Sequence, residues 1–297
     1  MIDLTKMSTE QINPKTIELD KMSIREALSV MNEEDHKVPA AIKEAIPQIE
    51  KAIEAVIEAF NNGGRLIYIG AGTSGRLGVL DAVECPPTFG TDPSQVVALI
   101  AGGDKAFLKA VEGAEDSTSL AETDLENIQL SEKDVVIGIT ASGRTPYVIH
   151  GIKFAKEKGC KTVGIACNKH SELGQVADIA IEVVVGPEVV TGSTRLKSGT
   201  AQKMILNMIS TLSMVGIGKV YKNLMVDVQQ TNLKLEARAI NIVVSATDVN
   251  YERAKEVLQQ ADGSVKLAIT MILLNCDKVT AKEKLKEANG FIRRTLN

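Results

Sequence analysis

The chain has 297 residues, of which 44% are apolar and 24% are charged, and its formal net charge at pH 7 is −4. A chain of this length can bury a sizeable core, and the composition is typical of a soluble globular protein. The lysines and arginines are scattered rather than clustered, which argues against a nucleic-acid partner and is compatible with a small anionic ligand.

Two features bear on compartment and membrane. The N-terminal residues contain no apolar stretch of the kind found in secretory signals, so we expect a cytoplasmic protein. The most apolar helical stretch, 204–217, is too short for a bilayer and is interrupted by Asn207 and Ser210, so no membrane partner is expected.

The four cysteines lie far apart without metal-ligand spacing, and they predict neither a disulfide framework nor a zinc site.

Residues 1–60 are predicted to form a helical segment that packs on the domain after it. Ile42, Ile46 and Ile49 recur at three- and four-residue spacing, as expected for the buried face of a helix. The asparagines and glycines of 61–64 then end the helix.

Residues 61–222 form the predicted main domain, in which short β-rich segments alternate with helical ones. The expected strands cover 65–70, 95–101, 134–140, 161–167 and 179–185. This alternation predicts an α/β fold, a doubly wound parallel sheet sandwiched by helices. Ligands of such sheets bind at the carboxyl ends of the strands, near a topological switch point.

Residues 223–297 show no strand pattern and predict a small all-helical C-terminal domain. The expected helices cover 226–246, 251–260, 264–274 and 281–293. The pattern is equally compatible with a dimer core, an active-site lid, a docking surface or structural support.

The loop after the first predicted strand, 70–75, has the sequence GAGTSG and fits GxGxxG. Glycines at a strand-to-helix turn let backbone N–H groups face an anion at the positive end of the helix. A dinucleotide site would also need an acidic residue about 20 positions on, at the end of the second strand. That strand ends in Ala101, Gly102 and Gly103 instead, which argues against dinucleotide binding.

The loop after the third predicted strand supplies the hydroxyls of Thr140, Ser142 and Thr145, which can donate hydrogen bonds to phosphate oxygens. Together the two loops favour a phosphate monoester as ligand. The alternative is that these residues only cap the helices that follow them. A third polar stretch, 191–200, offers further hydroxyls and two cations. It either closes over the ligand or consists of a helix cap and solvated charges.

Several segments together resemble one protein family, the N-acetylmuramic acid 6-phosphate etherases. The most specific is 70–90, GAGTSGRLGVLDAVECPPTFG. The resemblance covers essentially the whole chain. Its other segments are 9–14, 100–103, 112–116, 140–145 and 191–202.

The resemblance implies a sugar isomerase (SIS) domain followed by a helical domain, with no metal or organic cofactor. It implies an enzyme that removes D-lactate from N-acetylmuramic acid 6-phosphate and leaves N-acetylglucosamine 6-phosphate. Two glutamates form the catalytic pair of the family, and its motifs match here at Glu84 and Glu115. The residues implied for phosphosugar binding are Ser74, Thr140, Ser142 and Thr145.

Two carboxyl groups suit this reaction, because a base must remove the C2 proton of the opened sugar while an acid protonates the departing lactate oxygen. Burial of one carboxyl group would raise its pKa and make it the acid. The resemblance implies Glu84 as acid and Glu115 as base. Spacing alone does not exclude Asp81, Glu112 or Asp116.

Ser74 and Glu84 lie ten residues apart on one predicted helix. A rise of about 1.5 Å per residue separates them by roughly 15 Å, which a single sugar phosphate barely spans. We therefore expect a homodimer in which each site is completed across the interface.

Three other functions share part of this pattern. A non-catalytic phosphosugar-binding regulator carries the same SIS motifs, but the presence of Glu84 and Glu115 argues against it. A sugar-phosphate aldose-ketose isomerase also takes the C2 proton, yet it needs no acid for a leaving group. A transcriptional repressor would need a basic recognition helix, which residues 1–60 lack.

Overall fold

The computed structural model describes residues 7–228 and 233–296, which form two compact units. The first contains the described residues up to Ala82 and Ser94–Ser210, and the second contains Val83–Pro93 and the described residues from Thr211 onward. Neither unit is one continuous segment. The predicted division into three consecutive domains therefore stays a prediction.

Helices and strands alternate along the first part of the chain, after three 3-10 turns at Ser8–Glu10, Pro14–Thr16 and Leu19–Lys21. The elements are α1 (Ile24–Asp35), α2 (Lys37–Asn61), β1 (Leu66–Gly70), α3 (Gly72–Phe89), β2 (Val96–Ile100), α4 (Lys105–Leu108), α5 (Leu120–Asn127), β3 (Val135–Ile139), α6 (Pro146–Glu157), β4 (Lys161–Ala166), α7 (Glu172–Val176), β5 (Ile179–Glu182) and α8 (Lys197–Gly216). Helices α3 and α8 contribute residues to both units.

These strands form one parallel sheet in the order β2-β1-β3-β4-β5. Each lies within one of the five predicted segments, so the α/β fold and its strands are confirmed. β1 and β3 are buried along their whole length, as expected for strands covered on both faces. The chain proceeds from β1 to one side and then returns to the other, which puts the switch point between β1 and β3.

Helix α2 carries the buried face predicted for the N-terminal segment. It packs on β1, β3 and β5 and ends at Asn61, followed by Gly63 at a positive φ of 75°. Ile46 departs from the prediction, since half of its surface is exposed. The buried residues of α2 are Val38, Ile42, Ala45, Ile49, Ala52, Val56 and Ala59.

The second unit is mainly helical and also contains a small antiparallel hairpin. Its elements are β6 (Val220–Tyr221), β7 (Leu224–Met225), α9 (Leu233–Thr247), α10 (Tyr251–Gln260), α11 (Val265–Leu274), α12 (Lys278–Glu287) and a 3-10 turn, Ile292–Leu296. Its buried core is made mostly of aliphatic side chains from α9, α10 and α11.

Two predicted C-terminal helices have wrong bounds. The expected helix 226–246 begins only at Leu233 among the described residues, and 229–232 lie outside them. Val226 and Val228 are buried, so a non-helical segment produced the apolar pattern. The expected helix 281–293 begins at Lys278, because the Asp277 side chain accepts a hydrogen bond from the Thr280 N–H, and it ends at Glu287.

Within the described residues, no single helix has both the length and the apolar character needed to cross a bilayer. The bent pair α10 and α11 meets both criteria only when the two helices are combined, by length and composition.

Candidate functional site

The loops that follow β1 and β3 lie at the switch point of the sheet. The two strands pair in register, with Gly70 opposite Ile139, so both loops leave the sheet at the same edge. Adjacent strands are about 4.8 Å apart, which brings the two loops within reach of one small ligand. The structure therefore brings together the first-loop and second-loop residues predicted from the sequence.

Glycines allow α3 to start directly against the end of β1. A Cβ on Gly75 would stand 2.8 Å from the Gly70 carbonyl oxygen, and a Cβ on Gly70 would stand 2.7 Å from the Gly75 nitrogen. Both distances are shorter than real contacts, so larger residues would push the helix away. Gly72 adds a positive φ of 52° at the turn.

Ser74 lies in the first turn of α3 and is buried, with 7% of its surface exposed. Its hydroxyl donates a hydrogen bond of 2.9 Å to Oε1 of Gln202, a residue of α8 in the same unit. The resemblance implied Ser74 as a binding residue, and this stays a prediction; Gln202 was not singled out, although it lies inside the resembling segment 191–202.

The second loop gathers three hydroxyl groups. Thr140 Oγ1 lies 2.6 Å from Thr145 Oγ1 and 3.2 Å from Ser142 Oγ. Thr145 precedes α6 but makes no side-chain capping hydrogen bond, so the helix-capping alternative does not account for it. The cluster can turn its protons outward toward phosphate oxygens.

Gly143 shapes this loop, because its φ is +76° and a Cβ there would lie 2.4 Å from Cβ of Ser171. The loop is also held from the other side by Asn168, which follows β4 and is buried. Its Nδ2 donates to the carbonyl oxygens of Ala141 and Ser142, at 3.2 and 3.3 Å. The same amide lies within hydrogen-bond distance of Thr9 Oγ1, at 3.1 Å.

Asn168 was not predicted as part of the site. The only signal for this arrangement was the resembling segment 9–14, which contains Thr9. Ser8 completes the contact, since its hydroxyl donates to Oδ1 of Asn168 at 2.9 Å. The N-terminal segment therefore supports the second loop.

Glu115 lies beside the second loop. Its backbone carbonyl accepts a 3.0 Å hydrogen bond from the N–H of Tyr147, in the first turn of α6 and two residues after Thr145. The side chain of Glu115 is exposed. The structure thus holds one of the two predicted catalytic glutamates next to the predicted phosphate loop.

Glu84 lies on α3 in the segment Val83–Pro93 and therefore belongs to the second unit. Its side chain is exposed, like that of Glu115. The burial expected for one of the two carboxyl groups is not found in the single chain.

Asp81 was an alternative acid on the same helix. Its carboxylate is buried and accepts hydrogen bonds from the hydroxyls of Tyr68, at 2.9 Å, and Ser210, at 3.0 Å. Burial raises the pKa of Asp81, and the two hydroxyl donors oppose this rise. These contacts tie Asp81 to β1 and α8.

The polar stretch 191–200 includes the first turn of α8, which is capped by a residue outside the stretch. The backbone N–H groups of Lys197 and Ser198 donate to the carboxylate of Glu188 at 3.0 and 2.9 Å. The Lys197 ammonium is buried in an ion pair with Glu34, at 2.6 Å. The capping residue is therefore Glu188 rather than a residue of the stretch, and the ammonium of Lys197 pairs internally instead of facing a ligand or solvent.

Within 7–228 and 233–296, no group of three or more histidine, cysteine, aspartate or glutamate side chains could hold a metal ion.

Comparison with known proteins adds to this geometry. Residues 48–156 match the model of the glucokinase regulatory protein N-terminal SIS domain, and residues 114–212 match the SIS domain model. A protein of Bacillus cytotoxicus named N-acetylmuramic acid 6-phosphate etherase is 61% identical over 99% of this chain and 100% of its own length. A protein of the same name from Bacillus cereus is 60% identical, with the same coverage.

The chain belongs to the N-acetylmuramic acid 6-phosphate etherase family. As a member of this family it contains the SIS domain that the resemblance implied. Among solved structures, a Bacteroides fragilis protein with the provisional name phosphosugar isomerase is similar in fold, with a TM-score of 0.50 and 20% identity. The match covers 65% of this chain and 91% of that protein. At that identity the match supports the fold of this chain and says nothing about its activity.

Proposed function

We propose that this chain cleaves the D-lactyl ether of N-acetylmuramic acid 6-phosphate, a lyase reaction that yields N-acetylglucosamine 6-phosphate and D-lactate. The observation that carries the proposal is about 60% identity, over essentially full length, to proteins named for this reaction. The hydroxyl-rich crevice at the switch point, with Glu115 beside it, supports a phosphosugar as substrate.

In the proposed complex, Thr140, Ser142 and Thr145 donate hydrogen bonds to the phosphate group, and Ser74 contributes from the first loop. The clustered hydroxyls need only rotate to do so, since each carries one proton that a phosphate oxygen can accept. No metal or organic cofactor enters the proposed reaction.

The proposed chemistry is an elimination followed by an addition. Ring opening makes the C2 proton acidic; Glu115 removes it, and Glu84 gives a proton to the lactate oxygen as the C3–O bond breaks. Water then adds to C3 of the unsaturated aldehyde, and the C2 position regains a proton. Each carboxyl group returns to its starting state.

The first test is turnover of N-acetylmuramic acid 6-phosphate in deuterated water. We expect D-lactate and a sugar phosphate with deuterium at C2, because the C2 proton passes through a base that exchanges with solvent. Glu115→Ala should lower the rate by about 100-fold or more, the range for loss of a general base. The matched control is Glu112→Ala, an exposed glutamate of the same segment, which should retain activity.

Two results would contradict the proposal. Bound sugar phosphate without lactate release would favour a non-catalytic regulator, a function supported by the match to the glucokinase regulatory protein domain. Interconversion of an aldose and a ketose phosphate without loss of a substituent would indicate an isomerase.

We further propose that the active form is a homodimer whose sites are each completed by Glu84 of the partner subunit. The separation of Ser74 and Glu84 along α3, roughly 15 Å by helix geometry, supports this. Leu80 and Val83 support it as well, because these neighbours of Glu84 on the helix are exposed by 47% and 57%. Exposed apolar side chains next to a functional group are typical of an interface.

A mixed dimer tests the shared site. Glu84→Ala subunits should be inactive as homodimers, and Ser74→Ala homodimers should show strongly reduced activity at low substrate concentration, because they lack one contact to the phosphate. After mixing, we expect about a quarter of wild-type activity, because half of the dimers are mixed and each mixed dimer has one intact site. Activity that stays at the level of the homodimers would contradict sharing.

A cytoplasmic location is part of the proposal. None of the four cysteines forms a disulfide, as expected for a protein of a reducing compartment. A phosphosugar substrate and scattered positive charge are also consistent with the absence of a nucleic-acid or membrane partner.

A further inference from the structure

The contact between Ser74 and Gln202 joins the start of α3 to the second turn of α8. Ser74 Oγ donates to Gln202 Oε1 at 2.9 Å across 128 residues of sequence. Only 1% of the surface of Gln202 is exposed. Gly199, one turn earlier on α8, lies against the side chain of Thr73, where an added Cβ would be 3.5 Å from Thr73 Cγ2. The amide is therefore held at the first loop.

The other end of this amide has no partner. Gln202 Nε2 is buried, and no described residue accepts a hydrogen bond from it. Buried donors without an acceptor are uncommon in folded proteins because they lose their hydrogen bonds to water and gain nothing in exchange. An unsatisfied donor beside a ligand-binding loop calls for an explanation at that loop.

The direction of the hydrogen bond decides what Ser74 can offer to a ligand. A hydroxyl has one proton, and here that proton is used by Gln202 Oε1. In this state Ser74 Oγ can only accept, whereas the oxygens of a phosphate dianion carry no proton to donate. The arrangement in the free chain therefore does not suit phosphate at Ser74.

Rotation of the Gln202 amide group by half a turn exchanges Oε1 and Nε2 and reverses the direction of the hydrogen bond to Ser74. Nε2 then donates to Ser74 Oγ, and the Ser74 proton is released toward the ligand. The reversal sacrifices no other contact of the amide, because Ser74 is the only hydrogen-bond partner of this side chain among the described residues. It also gives the buried Nε2 donor of Gln202 an acceptor.

We propose that Gln202 is a positioning residue that makes Ser74 a hydrogen-bond donor to the phosphate group of the bound sugar phosphate. The inference rests on the proposed phosphosugar substrate. The bound state contains a chain of two hydrogen bonds, from Gln202 Nε2 to Ser74 and from Ser74 to a phosphate oxygen.

The experiment is a double-mutant cycle on binding of N-acetylglucosamine 6-phosphate, the proposed product, measured by calorimetry on the full chain. Gln202→Met is nearly isosteric and has no hydrogen-bonding group, so the Ser74 hydroxyl keeps its proton but loses the Nε2 donor that orients it toward the phosphate and strengthens its hydrogen bond. We expect it to weaken binding roughly tenfold in the wild type and less than about twofold in a Ser74→Ala background, since the two residues act in series. The control is Asn207→Leu, which removes an exposed amide from the same helix and should not change binding.

Two readouts separate positioning from structural support. The melting temperature of Gln202→Met should be unchanged or higher, because the substitution removes a buried unsatisfied donor. The loss should also appear with inorganic phosphate and be absent with N-acetylglucosamine. Additive losses, a lower melting temperature, or a loss confined to the sugar would each overturn the proposal.

Because the cycle measures binding alone, its outcome is independent of lactate release. A chain that binds the sugar phosphate with strong coupling between Ser74 and Gln202 but releases no lactate would retain this inference and lose the proposed reaction.

Discussion

The hydroxyl cluster of Thr140, Ser142 and Thr145 depends on one glycine. Gly143 turns the chain at a positive φ of 76° and passes so close to Ser171 that no side chain fits. The three hydroxyls can then point toward one another across the turn. At the scale of single residues, the candidate site therefore depends on backbone geometry as much as on the hydroxyls proposed to bind phosphate.

Gly143→Ala should destabilise the fold and weaken phosphosugar binding. The substitution combines an unfavourable positive φ, worth about 1–2 kcal/mol, with a steric clash worth about 1–3 kcal/mol more. Gly63→Ala is the matched control, because Gly63 has nearly the same φ, +75°, and no atom within 4 Å of an added Cβ. Urea denaturation should give a larger loss at position 143, and equal losses would contradict the role of the Ser171 contact.

At the scale of elements, a buried charge network joins α1 to the start of α8. Glu34 is fully buried and pairs with Lys197 at 2.6 Å, while Glu188 caps α8 through two backbone N–H groups. Burial raises the pKa of Glu34, but hydrogen bonds from Lys197 and Lys37 outweigh it and lower that pKa to about 2. The network orients the helix that carries Gln202.

Glu34→Gln should lower the free energy of unfolding by about 3–5 kcal/mol near neutral pH, since it leaves the ammonium of Lys197 buried without its anion. The pKa of Glu34 lies below its ordinary value of 4.5, so its stabilisation is complete above that value and is lost as pH falls toward 2. The difference between wild type and variant in urea denaturation should therefore shrink across this window. Glu33→Gln, at an exposed position, is the control and should show little effect.

At the scale of the whole molecule, the two units divide the predicted catalytic pair, with Glu115 in the first and Glu84 in the second. The glutamate of the second unit has exposed apolar neighbours on its own helix. The proposed dimer gives these neighbours a function, because their burial in an interface would bring a partner's site to Glu84.

Val83→Lys should convert the proposed dimer to monomers and lower lactate release in parallel, because a charge would enter an apolar interface. Size-exclusion chromatography with light scattering measures the first effect, and the lactate assay measures the second. Val279→Lys is the control, since Val279 is exposed by 65% on a different helix, α12. A Val83→Lys protein that is still dimeric but inactive would contradict the predicted link between assembly and activity.

Much of this protein follows from local sequence. The five strands were predictable because buried parallel strands are short runs rich in β-branched residues between turns. The loops at 70–75 and 140–145 were predictable because glycine and hydroxyl residues act within their own turns. The helix predicted from 226 begins too early for a related reason: the buried apolar residues Val226 and Val228 have no local feature that distinguishes a buried non-helical segment from a helix.

The partners of the site residues were decided only by tertiary structure. Gln202 meets Ser74 across 128 residues, and Asn168 meets Thr9 across 159. No spacing rule reaches that far, because such contacts depend on how α8 and the N-terminal segment pack against the sheet. By itself the sequence determined the fold and the family, and it predicted the chemical groups of the candidate site. Packing decided which partner each of these groups faces, because contacts across more than a hundred residues depend on how the elements meet, and so it decided which hydrogen bonds remain for a ligand.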